Sequence, residues 1–329
     1  MILITLGVML VAMPTLPQRL MPGDTVGLVA PASAPRDPKA VDLAVAALEK
    51  MGFPVRLGRH TRDRHGFIAG QDRERAADVM AAFMDGKVRG IICLRGGYGT
   101  ARMASLLDYQ VIRENPKVFA GYSDVTFLHC ALLKKSRLLS FHSPMAASEF
   151  IHDDFPEFSR ASFMNLVTRT EPYGSICRGY EGGTVSILAP GSVSGELIGG
   201  NLTVLCTTIG TEFEPSFRGK ILFLEDLDEK PYRVDRMLTH LLNAGILGLV
   251  AGIAIGLCKN CEDPEAKPGG EFRQSLDDVF RERLQPLGIP VVTGLPFGHG
   301  KYNATLPVGG RATLDAVNGD LVLTSAAVC

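Results

Sequence analysis

Neither sign of charge prevails in this 329-residue sequence, where 34 Lys and Arg stand against 35 Asp and Glu for a formal net charge of -1. A nucleic-acid partner or an anionic membrane surface would call for a basic footprint, so neither is expected, and a small molecule or peptide is the ligand class that fits. Apolar runs long enough to cross a bilayer are lacking too. The stretch MILITLGVMLVA at residues 1–12 is too short to span and has no basic flank of a secretory signal. Residues 1–13 are therefore set apart as an extension, with 1–12 read as an upstream start-site artefact or a frayed end ahead of Met13. No stretch is polar or repetitive enough for disorder, and 46% apolar with 21% charged residues is an ordinary globular composition. A disulfide framework is missing: the 7 cysteines are odd in number and occupy apolar contexts such as Ile91-Ile92-Cys93-Leu94. Buried reduced thiols look like this, which fits a cytoplasmic location. Cys258-Lys-Asn-Cys261 has the spacing of half a zinc site, but no second Cys or His pair lies nearby, so no metal is expected.

What is present is alternation. The length favours two domains. In the first half, short apolar runs (25–30, 54–57, 90–94, 118–120) read as strands and longer amphipathic segments (39–51, 72–85, 125–135) as helices. That is the pattern of βαβ units on a parallel sheet. Prolines and glycines break the pattern between 150 and 192. The expected division is an N-terminal domain at 14–165, a linker at 166–192 and a smaller α/β domain at 193–329. The latter reads as strand 195–201, helix 202–209, strand 220–224, helix 231–243, strand 250–255, helix 275–284 capped by Ser275, strand 290–293 and a hairpin over 312–325 turning at Asn318-Gly319.

Gly121-Tyr122-Ser123-Asp124 lies between a strand and a helix, which would hold the Ser123 hydroxyl at the carboxyl edge of the sheet, where ligands of such sheets bind. The setting resembles a nucleophile elbow, with Val125 in place of the second glycine. A helix cap by Ser123 or Asp124 explains the same residues. A serine nucleophile needs a base and the base an orienting carboxylate. Glu225 and Asp226 are placed where strand 220–224 ends, and His299 lies in a glycine-flanked loop after strand 290–293. His142, which ends a short apolar run near the serine, rivals His299. His60, His65, His129, His152 and His240 are accounted for by helix packing or solvent. Arg95-Gly-Gly-Tyr-Gly99 lacks the endings of a phosphate loop. It is either an ordinary turn or a source of an exposed N–H at Gly96 or Gly97 that completes an oxyanion hole with Asp124.

Taken together, Val26-Gly-Leu-Val-Ala-Pro-Ala-Ser33, Arg95-Gly-Gly-Tyr-Gly99, Gly121-Tyr-Ser-Asp124, Gly199-Gly-Asn201, Leu222-Phe-Leu-Glu-Asp226, Pro231-Tyr-Arg-Val-Asp-Arg236 and Gly298-His299 resemble the LD-carboxypeptidases, serine peptidases of murein recycling. The likeness runs from about residue 16 to the C-terminus. It implies Ser123 as nucleophile, His299 as general base and Glu225 as the acid orienting it. The implied fold is a Rossmann-like or flavodoxin-like N-terminal domain with a smaller α/β C-terminal domain and the site at their junction. No metal or organic cofactor is implied, and a homodimer is. Ser143 departs from the glycine that many members carry after the histidine matching His142.

The resemblance implies removal of a terminal D-alanine from a murein tetrapeptide. A carboxypeptidase must also bind the free carboxylate of the departing residue, a task suited to arginine. Arg236 and Arg95 are the candidates, with Asn201 as a hydrogen-bonding partner; Arg236 also reads as a solvated helix residue. Two other functions are consistent with parts of the sequence. One is a self-immunity peptidase of the same family acting on a peptide-nucleotide antibiotic. Those members tend to carry an aromatic recognition loop including tryptophan, and this chain has no tryptophan. The other is a ligand-binding protein without catalysis, since a fold does not dictate function.

Overall fold

The computed structural model describes residues 13–262 and 274–329, so the reading of residues 1–12 lies outside the described residues. The first half runs β1 (Thr25–Val29), α1 (Ala40–Lys50), β2 (Val55–Leu57), α2 (Asp72–Met84), β3 (Val88–Cys93), the single turn α3 (Thr100–Met103), α4 (Tyr109–Glu114), β4 (Val118–Gly121), α5 (Thr126–Ala131) and β5 (Ser140–His142). These strands are parallel and stand in the order β2-β1-β3-β4-β5. That is the flavodoxin-like order, whose direction reverses between β1 and β3 and leaves a crevice at their carboxyl ends. Strands β3 and β4 are apolar apart from Arg89 and almost wholly buried because helices cover both faces. Helix α1 packs through Val41, Ala44 and Leu48.

The second half runs α6 (Glu157–Thr168), β6 (Gly174–Ser175), β7 (Ser186–Ala189), β8 (Ser192–Asn201), α7 (Leu202–Cys206), β9 (Ile221–Leu227), α8 (Pro231–Asn243), β10 (Gly252–Lys259), α9 (Leu276–Leu284), β11 (Val291–Thr293), β12 (Leu306–Val308), β13 (Arg311–Asp315) and β14 (Asp320–Leu323). An 8-stranded mixed sheet has the order β6-β14-β13-β8-β9-β10-β11-β7, with β8 to β11 parallel. Helix α8 begins with Pro231, whose fixed φ and missing N–H suit a first turn. Ser275 caps α9, its hydroxyl accepting the Asp278 N–H. β13 and β14 form the expected hairpin.

Three features differ from the sequence reading. Residues 166–192 carry the end of α6 and the strands β6 and β7, which pair with β14 and β11 at the two edges of the second sheet. Helix α6 was not expected because its inward face includes Ser159 and Ser162 beside Phe163, Leu166 and Val167, and the serines interrupt the apolar period. Finally, β12 leaves the second half and pairs antiparallel with β5, Leu306 opposite His142, to complete the 6-stranded first sheet. Among the described residues no helix is long and apolar enough to cross a membrane.

Candidate active site

Between β4 and α5 the chain turns through Ser123, a non-glycine residue at φ 63. That left-handed conformation makes the turn sharp enough to lift the side chain off the sheet edge. The hydroxyl is not spent on a cap; Ser123 Oγ lies 3.1 Å from His299 Nε2. Nor does the Asp124 carboxylate cap its own helix. It accepts the Thr100 N–H at 2.9 Å, while the Thr100 hydroxyl donates to the Asp124 carbonyl at 2.6 Å, so the elbow is tied to the start of α3. Behind it, buried His129 donates from Nε2 to the Gly121 carbonyl and accepts the Ser140 hydroxyl at Nδ1, both at 2.8 Å. Burial pushes its pKa down to about 4, so the ring is a neutral strut between β4 and β5.

The candidate acid and base come from the second half. Strand β9 continues to Leu227, so Glu225 and Asp226 sit within it rather than beyond its end. Glu225 is 0% exposed, and its Oε2 accepts the His299 Nδ1–H at 2.5 Å. This bond leaves His299 Nε2 with a lone pair toward the serine hydroxyl. Gly298, at φ +100, lets the loop press on the acid: a Cβ there would come within 2.6 Å of Glu225 Cβ. The loop is held by the Gly298 N–H to Asn303 Oδ1 (3.0 Å) and by the Leu257 N–H, at the end of β10, to the Phe297 carbonyl (2.8 Å). Burial alone would lower the His299 pKa, but the charge and hydrogen bond of Glu225, with Glu149 and Asp226 behind them, raise it above its ordinary value.

Sequence reading missed two residues of this arrangement. The Tyr122 ring packs 4.7 Å from the His299 ring, and its hydroxyl donates to Glu149 Oε1 at 2.6 Å. Glu149 Oε2 accepts the Met145 N–H at 2.7 Å. Tyr122 was visible as the serine's neighbour. Glu149 lies just before the stretch where periodicity fades and carries no local signal.

Other candidates fall into place individually. His142 is wholly buried among Tyr122, Phe223 and Phe297, and burial holds its pKa well below the usual imidazole range. It therefore packs behind the Ser123–His299 pair. Gly96 is the glycine against the serine, since a Cβ there would come within 2.8 Å of Ser123 Cβ and 3.4 Å of the Asp124 nitrogen; a Cβ on Gly97 would instead meet Ser33. Asn201 is buried in an internal clamp, donating to Asp226 Oδ1 at 2.8 Å and capping α7 through the Val204 N–H. Arg95 lines the cleft beside Ser123 and donates to the Ala34 carbonyl at 3.1 Å. Arg236 is exposed on α8 against the Tyr232 ring and lines neither cleft that borders His299, contrary to its expected place at the substrate carboxylate. The reason is its helical position: it lies on the solvent side, while Val234 and Leu238 face the core.

A hydroxyl, an imidazole and a buried carboxylate joined in series can deliver an alkoxide-like nucleophile and return its proton to a leaving group. Comparison with known proteins bears on which reaction uses them. Residues 26–143 match the LD-carboxypeptidase N-terminal domain and residues 194–314 the LD-carboxypeptidase C-terminal domain. A Bacillus subtilis (strain 168) protein named probable murein peptide carboxypeptidase is 40% identical over 307 residues, covering 93% of this chain and 93% of its own. The crystal structure of a muramoyltetrapeptide carboxypeptidase from Oxalobacter formigenes superposes with a TM-score of 0.78 at 34% identity, covering 91% of this chain and 97% of that one. The microcin C7 self immunity protein MccF, in its wild-type apo state, superposes with a TM-score of 0.82 at 26% identity, covering 96% of this chain and 100% of that one. With both domains matched in order and a 40%-identical relative aligned along 93% of its length, this chain belongs to the LD-carboxypeptidases, serine-type hydrolases.

Proposed function

We propose that the protein removes the terminal D-alanine from murein tetrapeptides by hydrolysing the L,D-peptide bond, with Ser123 as nucleophile, His299 as general base and Glu225 as its orienting acid. The observation that carries this reading is the continuous hydrogen-bonded series Ser123–His299–Glu225 across the two sheets. Ser123 attacks the carbonyl as His299 Nε2 takes its proton. The tetrahedral oxyanion is held by backbone N–H groups of Asp124 and Gly97, with Gly96 packed on the serine. His299 then protonates the leaving amine, and water releases the acyl-enzyme by the same route. The acyl part occupies the cleft lined by Arg95, Ser123, Asn201 and Glu229.

The proposal extends to a cytoplasmic homodimer acting on peptides released from the wall, with no metal or organic cofactor, and to a functional division into 14–165 and 193–329 in which one part carries the nucleophile and the other the acid and base. The odd number of cysteines and their apolar contexts support the compartment. Sedimentation of the purified chain reads the oligomeric state directly.

The test is D-alanine release from a murein tetrapeptide by the wild-type protein and by Ser123→Ala. Release by the wild type and a loss of about a thousandfold or more in the variant are expected. No release by a folded wild-type protein would overturn the substrate assignment and direct the search to acyl-nucleotide substrates, given the likeness to the self immunity protein.

A further inference from the structure

His299 stands on the seam between two clefts. One, of about 410 Å³, contains Ser123, Gly96, Arg95 and Asn201. The other, of about 420 Å³, lies beyond the imidazole and contains Glu149, His152, Asp154, Lys259 and Lys301. The proton that His299 takes from the serine must go to the leaving nitrogen, so the residue attached to that nitrogen departs on the imidazole's side of the scissile bond. That residue carries a free carboxylate, which needs a cation, and neither expected arginine serves. Arg236 is exposed against Tyr232, and Arg95 lies beside Ser123 with its guanidinium donating to the Ala34 carbonyl.

We propose that Lys259 and Lys301 hold the α-carboxylate of the departing residue in the cleft beyond His299; the assignment rests on the carboxypeptidase reading above. Lys259 ends β10, the strand beside the one that carries Glu225, and Lys301 follows His299 by two positions. Both ammonium groups therefore belong to the segments that position the acid and the base. Both side chains are exposed at the cleft, and neither is in an ion pair among the described residues. The acids in the same cleft are Asp154 and Glu149, whose two oxygens are engaged by the Tyr122 hydroxyl and the Met145 N–H and whose charge acts on His299; the two lysines and His152 stand against them. Lysine serves here as a compact point charge on a flexible stem with three donors, which can meet a carboxylate without the fixed fork geometry of arginine.

The experiment uses the full chain and two tetrapeptides that differ only at the C-terminus, one with the free D-alanine carboxylate and one with its amide. Wild-type release from the free acid, at a kcat/KM well above that for the amide, is the first expected result. In K259A/K301A the preference for acid over amide falls about tenfold, chiefly through KM for the acid. In K259R/K301R the preference is retained, and a matched thermal melt shows that both variants fold. An unchanged preference in the double alanine variant, or acid and amide rates falling together, overturns the assignment. If the wild type releases nothing from either peptide while a serine-directed probe still labels Ser123, the carboxypeptidase reading fails first and this subsite falls with it.

Discussion

At the scale of single residues, the His299 imidazole, the proposed base, is governed by the acids around it. Glu225 and Glu149 raise the His299 pKa against the lowering effect of burial, and Asp226 adds to them. Only the neutral ring can take the serine proton, so kcat/KM should fall as pH drops through this elevated value. Glu149→Gln removes one of the charges holding the proton on, so the acid limb of the kcat/KM profile should move to lower pH. Tyr122→Phe keeps the ring against His299 but frees Glu149 from the hydroxyl, and it should move the limb less. An unshifted limb in Glu149→Gln would show that Glu149 does not act on His299.

At the scale of elements, the His299 loop is held from an unexpected direction. Ser159 Oγ on α6 accepts the Asn303 N–H at 2.8 Å, and Ser162 Oγ accepts the Thr305 N–H at 3.0 Å. Asn303 in turn fixes Gly298, next to the base. These serines are 0% exposed, so replacing one leaves a backbone N–H buried without a partner. Ser159→Ala should cost about 1–3 kcal/mol in urea unfolding. It should also lower kcat through a loosened His299 while Ser123 remains in place. The features that make α6 matter hid it, because a helix that turns hydroxyls inward does not show an apolar stripe. The strands and helices of the first half were legible for the opposite reason: their buried faces are apolar, as in β3 and β4.

At the scale of the whole molecule, the buried histidines couple stability to pH. His129 has a pKa of about 4 against an ordinary 6.5, and His142 is shifted the same way. Between those values the unfolded chain binds protons that the folded one refuses, so this contribution is complete above about pH 6.5 and is lost as pH falls toward about 4. Buried Asp78, Asp124 and Asp226 and half-buried Glu149 have raised values and act in the opposite sense at the acidic end. The comparison that isolates the histidine term is His129→Gln against the parent. The urea midpoint of the variant should fall less steeply between pH 6.5 and 4.5, and parallel slopes would refute the account.

The sequence by itself determined the parallel sheet, the elbow at Ser123 and the second α/β half, and through resemblance it pointed to Glu225 and His299 as the candidate acid and base. Periodicity, glycine placement and motif order are local properties, readable along one chain. Only the tertiary structure decided that Gly96 rather than Gly97 faces the serine, that His142 is walled in while His299 reaches it, that Arg236 points to solvent and that β12 crosses to the first sheet. Each of these depends on contacts between segments far apart in the chain. The hydrogen bond from Ser123 to His299 spans 176 positions. Residue order says which groups exist, but their distance and burial, and hence their charge state and reach, are set by packing.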